Sequence, residues 1–223
     1  MLGIDIITVP AMMVLASADV TCRLPQAPVV RVMPQTNDIS YEFDLDSAAL
    51  ARIRSDSVNP FAASIDTTTG GLRHERPEIR IEVRLGGLHY PARDLTCIWY
   101  EQVDVTITLN PQIYIASDFT GRACREAILE HEMKHVRVDR TIMNEYAGRL
   151  GREIEKTVNQ TGALGPYTPS QAEIMQKRMT ESVQAAMLSL ESGLQQEMRD
   201  RQAEVDTKEE YLRVSNICRD ELR

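Results

Sequence analysis

Residues 131–135 read His-Glu-Met-Lys-His, a spacing with a chemical meaning if the segment is helical. Positions i and i+4 of a helix lie one above the other on a single face, so two imidazoles there can converge on one ion. Zn²⁺ accepts such nitrogens at about 2.0–2.1 Å. Glu132 follows His131 by one and precedes His135 by three, which sets its carboxylate beside the ion rather than beneath it. From there it can take a proton from an attacking water and return it to a leaving amine. With four histidines and nineteen glutamates in 223 residues, chance supplies about 0.006 such matches. Both histidines also fall in line with Ile128, Val138 and Ile142, the stripe that turns a helix toward the interior. Two imidazoles buried there without a metal or a donor network would be costly. Glu126, Glu130, Lys134 and Arg137 lie off that stripe and read as a solvated, ion-paired face.

A third ligand must come from elsewhere. Asp139 extends the row to 131, 135, 139, but eight residues at 1.5 Å each span about 12 Å, too far for one ion to meet all three side chains. It would ligate only if the helix bent or ended there. Asp139 is instead expected to accept the second ring N–H of His135 and hold its tautomer. The returning helix or a loop then has to supply the ligand, and Asp206, Glu204, Glu197, Glu191, His74 and His89 are the candidates. Tyr146, Tyr167, Tyr211 or His89 could assist a developing oxyanion.

The elements that would position these groups change period midway along the chain. Ile79, Ile81 and Val83 alternate with Arg80, Glu82 and Arg84, as do Val103, Val105, Ile107 and Leu109 with Asp104, Thr106 and Thr108; each reads as a half-buried strand. Val103 to Leu109 is the candidate edge strand along which a substrate would lie. Ile39 to Leu45 is a weaker strand, followed by a short helix capped at Asp46 or Ser47. Residues 56–77 look loop-like and Gly86-Gly87 suggests a turn. After Asn110-Pro111, Ser117 or Asp118 can cap a helix over about 118–157. Thr168-Pro169-Ser170-Gln171 is a strong helix start, opening a helix over about 169–215. Its methionines and leucines, Met175 through Met198, recur every three to four residues and read as core or helix-pairing surface. The expected architecture is α+β: a β-rich part over 19–116 packed on a helical hairpin over 117–223.

Lys and Arg total 25 against 33 Asp and Glu, a net charge of −8 with pI near 5.1. That argues against a nucleic-acid binder, and no apolar run is long enough to span a membrane. Residues 1–18 read as an export signal ending in Ala16-Ser17-Ala18, or else as an N-terminal strand, since no basic residue precedes the apolar run and Asp5 interrupts it. Cys22, Cys97, Cys124 and Cys218 form no C-x-x-C pair. An even count after an export signal favours two disulfides with three connectivities open; one of these, Cys97–Cys124 with Cys22–Cys218, would tie a strand to the next helix and join the chain ends. The expected location is periplasmic or secreted, the alternative cytoplasmic.

These residues together resemble the zincin metallopeptidases, and more narrowly the bacterial family described as predicted secreted zinc-dependent proteases. Cys97 with Trp99, the run Leu129 to Asp139, and Gln202 to Asp206 occupy the places of that family's motifs. The resemblance implies a Zn²⁺ cofactor, a peptide or protein substrate and a ligand near Asp206. The chain departs from the pattern after Asp206, where Thr207-Lys208-Glu209-Glu210-Tyr211 stands in place of a Thr-x-His-Gly-like sequence. The resulting expectation is a zinc-dependent hydrolase with Glu132 as general base and acid. The competing expectation is a non-catalytic scaffold with a vestigial or structural metal site, whose Met-rich helix pairs with a partner or a second copy.

Overall fold

The long strand β5 (Leu95–Leu109) organises the N-terminal half. In the computed structural model, which describes residues 19–53, 60–61 and 67–219, β4 (Glu78–Tyr90) runs antiparallel along one side of β5 over its whole length. The other side is shared: β1 (Val29–Thr36) pairs parallel with Gln102–Leu109, and β7 (Leu164–Tyr167) pairs antiparallel near Thr96–Ile98. Val103, Val105 and Ile107 are fully buried, as the alternation requires. Their strand, however, is hydrogen-bonded on both sides and so is not an edge, which corrects the expected substrate strand. Among the described residues β1 lies at an edge of this sheet, the kind of strand that tolerates Pro34.

A second, three-stranded sheet places β6 (Gln112–Ile115) between β2 (Ser40–Glu42), parallel to it, and β3 (Gly71–His74), antiparallel to it. β3 arises inside the segment expected to be loop. Gly86 and Gly87 lie within β4 rather than in a turn; a Cβ at Gly86 would collide with the Trp99 indole on the neighbouring strand. The reversal between β4 and β5 falls instead at a 3₁₀ turn over Pro91–Arg93, ending on Asp94 in the left-handed region at φ 51°.

Among the described residues, four α-helices complete an α+β architecture. The short α1 (Ser47–Leu50) is capped by Asp46, whose Oδ1 accepts from the Ala49 N–H at 2.7 Å. α2 (Arg122–Thr161) starts after Gly121, not at Ser117 or Asp118. Asp118 is occupied elsewhere, accepting from the Ser47 N–H and hydroxyl. α3 (Pro169–Ala203) opens with the expected capping box between Thr168 and Gln171. It does not continue to 215: the chain breaks after Ala203, and α4 (Lys208–Cys218) restarts under Thr207, whose Oγ1 accepts from the Glu210 N–H.

α2 and α3 lie antiparallel, Arg149 meeting Glu197, Glu145 meeting Arg201, and His135 meeting Gln202. The methionine stripe of α3 faces inward: Met179 is buried, and Met175, Met187 and Met198 pack against the core that joins both long helices to β5. Ile174 and Leu188 remain exposed on its outer face. A second core gathers Leu50, Ile113, Phe119, Ile128 and Val136 around the small sheet and the first half of α2. The disulfides join Cys22 to Cys97 and Cys124 to Cys218, not the pairing that would link strand to helix and end to end. Cys124–Cys218 ties the start of α2 to the end of α4. Residues 1–18, the expected export signal, lie outside the described residues, and among those described no helix is long and apolar enough to cross a membrane.

Candidate metal centre

The site forms where α2 passes between its two cores. His131 and His135 project from one face of α2 with their rings edge to face at 4.9 Å. Asp206, in the break between α3 and α4, meets them from across the helix pair. His131 Nε2 and His135 Nε2 are 3.3 Å apart, and Asp206 Oδ1 lies 3.3 Å and 3.2 Å from them. Three donors at the corners of a tetrahedron around one ion are separated by about 1.63 bond lengths, so this triangle corresponds to bonds of about 2.0 Å, a spacing divalent ions accept from nitrogen and carboxylate. All three residues border a cavity of about 580 Å³, which leaves a fourth direction open. The buried His131-His135-Asp206 group could hold a metal ion, and among the described residues it is the one such group of three or more.

The other candidates for the third ligand are placed elsewhere. Glu197 pairs with Arg149 and Arg201, Glu204 caps the end of α3, and Glu191 borders a different cavity. His74 sits on β3, and His89 hydrogen-bonds Thr96 at the far end of β4. Asp139 does not ligate, since α2 continues straight past it. Nor does it touch His135: Gln202 stands between them. The Gln202 Oε1 lies 2.6 Å from His135 Nδ1, and its Nε2 donates to Asp139 Oδ1 at 2.6 Å, where Arg73 Nη2 donates as well, also at 2.6 Å. An acidic acceptor on the far side obliges the Gln202 amide nitrogen to face Asp139. Its oxygen therefore faces His135, whose Nδ1 must carry the proton, leaving Nε2 with a lone pair for the ion.

Burial sets the electrostatics. It pushes the Asp139 carboxyl up to about 6, against the lowering effect of Arg73 and with a further upward push from Glu75. Glu132 is also raised by burial, opposed by both histidines and by the Arg73 backbone N–H, while Asp206 pushes it further up. Burial alone would lower His135, but the hydrogen bond to Asp206 and the negative field of Glu132 hold it above the ordinary imidazole value. Glu210, 3.4 Å from His131 Nδ1, is pulled down to about 2, first by Arg213 and also by Lys134.

Glu132 is 5% exposed, and its carboxylate lies against β3, so close that a Cβ at Gly71 would stand 2.8 Å from Oε1. Ile128 Cγ2 would stand closer still, so any side chain at Gly71 would force Ile128 and Glu132 to shift. β3 pairs with β6 on one side, and Gly71 and Leu72 border the cavity. Of the four expected oxyanion helpers only Tyr211 borders the same cavity, its ring 5.8 Å from that of His131. Tyr146 is buried in the main core, as is Tyr167 in part, and His89 is remote. Sequence reasoning missed Arg73 and Glu210 as contributors, and marked Gln202 only as the start of the stretch Gln202 to Asp206, without a role. Neither a protein-family model nor a curated protein nor a solved structure matches the chain.

Proposed function

We propose that the chain is a zinc-dependent hydrolase, and within that class a metallopeptidase of the zincin type that works in the periplasm or outside the cell. The observation that carries this reading is the triangle of His131, His135 and Asp206 donors with the buried Glu132 carboxylate beside it in one cavity. Two nitrogens and one carboxylate oxygen, with a fourth direction open, are the donor set of catalytic zinc sites. Zinc bound there would acidify a water and polarise the scissile carbonyl.

The chain's own residues then have distinct tasks. Glu132, raised by burial, takes the proton of the attacking water and passes it to the leaving amine. Tyr211, whose hydroxyl is driven up by burial and so keeps its proton, donates to the developing oxyanion. β3, with one edge bonded to β6, offers its other edge to an extended peptide, whose backbone would add as a strand. The two disulfides favour an oxidising compartment outside the cytoplasm.

The test is zinc content and peptide-library cleavage for the wild type, His131→Ala and Glu132→Gln purified alike. The reading expects near-stoichiometric zinc in wild type and Glu132→Gln, its loss in His131→Ala, and cleavage by wild type alone. Absence of tightly bound zinc after reconstitution, or cleavage by Glu132→Gln at the wild-type rate, would overturn it.

A further inference from the structure

The cavity at the metal centre has two ends of different character. Among the described residues, every ionisable side chain on its walls belongs to the site itself: His131, Glu132, His135, Asp206 and Tyr211. Away from these the walls turn apolar. On α2, Ile128 stands one turn before Glu132, and both side chains lie against Gly71. Gly70 lies against Ile128 in turn, and against the Phe119 ring. On α4, Tyr211, Val214, Ser215 and Cys218 border the cavity at helical spacing, which carries that wall about 10 Å beyond Tyr211. Leu50 of α1 borders it as well. Leu50, Phe119, Ile128 and Cys218 are each 5% exposed or less and belong to one core.

What the walls lack selects the occupant of that end. The other polar side chains on the described walls are the neutral hydroxyls of Thr67, Thr68, Thr69 and Ser215. A carboxylate entering there would lose its water without gaining a cation, and would face Asp206 and Glu132. An ammonium or guanidinium would lose its water too, and the two carboxylates within the cavity are committed to the metal ion and the attacking water. A large apolar side chain leaves no group unpaired and gains from its own burial. A peptide extended along β3 turns successive side chains to opposite sides, so one residue enters the apolar end while its two neighbours point away.

We infer that the apolar end, between Ile128, Phe119, Leu50 and Val214, is the selecting subsite of this centre: the substrate carries a large apolar residue such as Phe, Leu or Met beside the scissile bond, and a charged residue at that one position is refused. The inference rests on the hydrolase reading above and adds to it the class of peptide cleaved.

Hydroxamates test the subsite apart from turnover, because the head binds the metal ion and the arm explores the cavity. Isothermal titration of the zinc-loaded full chain compares 3-phenylpropanohydroxamic acid with acetohydroxamic acid, which is the head alone, and with succinic monohydroxamic acid, whose arm ends in a carboxylate. The phenyl compound should bind at least about 10-fold tighter than either. Val214→Lys, which sets an ammonium in the apolar wall, should keep its zinc and narrow the margin of phenyl over carboxylate at least about 10-fold. Peptides varied at one position among Phe, Leu, Asp and Lys should follow the same order in kcat/KM. Equal affinity of the three hydroxamates with zinc bound would overturn the inference and leave the hydrolase reading standing. So would an unchanged margin in a folded Val214→Lys protein, or cleavage indifferent to the varied residue. The wild-type comparison decides alone if Val214→Lys fails to fold. A wild type that holds no zinc after reconstitution overturns the hydrolase reading, and this inference with it.

Discussion

Replacing Gln202 by Leu removes the one side chain that joins the metal centre to the buried ion pair behind it. The wild-type amide accepts from His135 Nδ1 and donates to Asp139, both at 2.6 Å. Leucine has nearly the same volume and no polar atom, so packing survives while His135 Nδ1–H and one bonding site on Asp139 go unmet. Each unmet buried group costs about 1–3 kcal/mol. Asp139 keeps Arg73, so the sum falls at about 2–4 kcal/mol off the unfolding free energy of the metal-free protein. His135 also loses the contact that fixes its tautomer and ring plane, which typically weakens metal binding 10- to 100-fold, about 1.4–2.7 kcal/mol. Urea unfolding in the presence of a chelator measures the first effect, and zinc competition against a chromogenic chelator measures the second. Gln202→Glu separates them: it still offers His135 an acceptor but turns an oxygen toward Asp139, so metal affinity should recover more than stability. A folded Gln202→Leu protein that binds zinc within about twofold of wild type would show that Gln202 does not position His135.

The other predictions concern the elements around that relay. Replacing Cys124 and Cys218 with Ser opens a loop closed over a separation of 94 residues, an entropic loss of about 4–5 kcal/mol; because α4 is then no longer pinned to α2, zinc affinity should fall with stability, whereas unchanged values for both by thermal unfolding and zinc titration would contradict this role. Thr207→Ala removes the cap of α4 and should cost about 1 kcal/mol, with a detectable loss of zinc affinity because Asp206 precedes it. Asp139 supplies a pH dependence. Its folded value of about 6 lies above the unfolded value near 3.9, so the native state binds the extra proton. The stability this confers is complete below about pH 4 and lost as pH rises through about 6, by up to about 3 kcal/mol. In the metal-free protein the stability of wild type relative to Asp139→Asn should therefore decline between pH 4 and 7, and a rise over that window would refute the assignment.

What could be read from the sequence was local, and what could not was a matter of register between distant segments. His131, Glu132 and His135 belong to one helical face, and the Thr168–Gln171 capping box spans three residues, so both could be read from spacing alone. α3 and α4 merged into one expected helix because apolar residues continue at helical intervals past Ala203 and no Gly or Pro intervenes. Yet a contrary signal was present: Thr207-x-x-Glu210 is itself a helix-start pattern, and the Thr207 hydroxyl does cap α4. Read as a start, it implies a break just before it, with Asp206 in non-helical backbone and free to turn toward α2. Gln202 had no such signal in its own residue type or spacing; only the resemblance singled out the stretch that begins with it. A glutamine on a long helix usually reads as surface, and only the antiparallel register of α2 and α3 puts it between His135 and Asp139. β3 was hidden for a related reason: Thr-Thr-Thr-Gly-Gly has loop composition, but a side chain at Gly71 would crowd Ile128 and Glu132, against which the strand passes directly. The glycine that weakened the strand signal is thus the residue that allows the strand to reach the site.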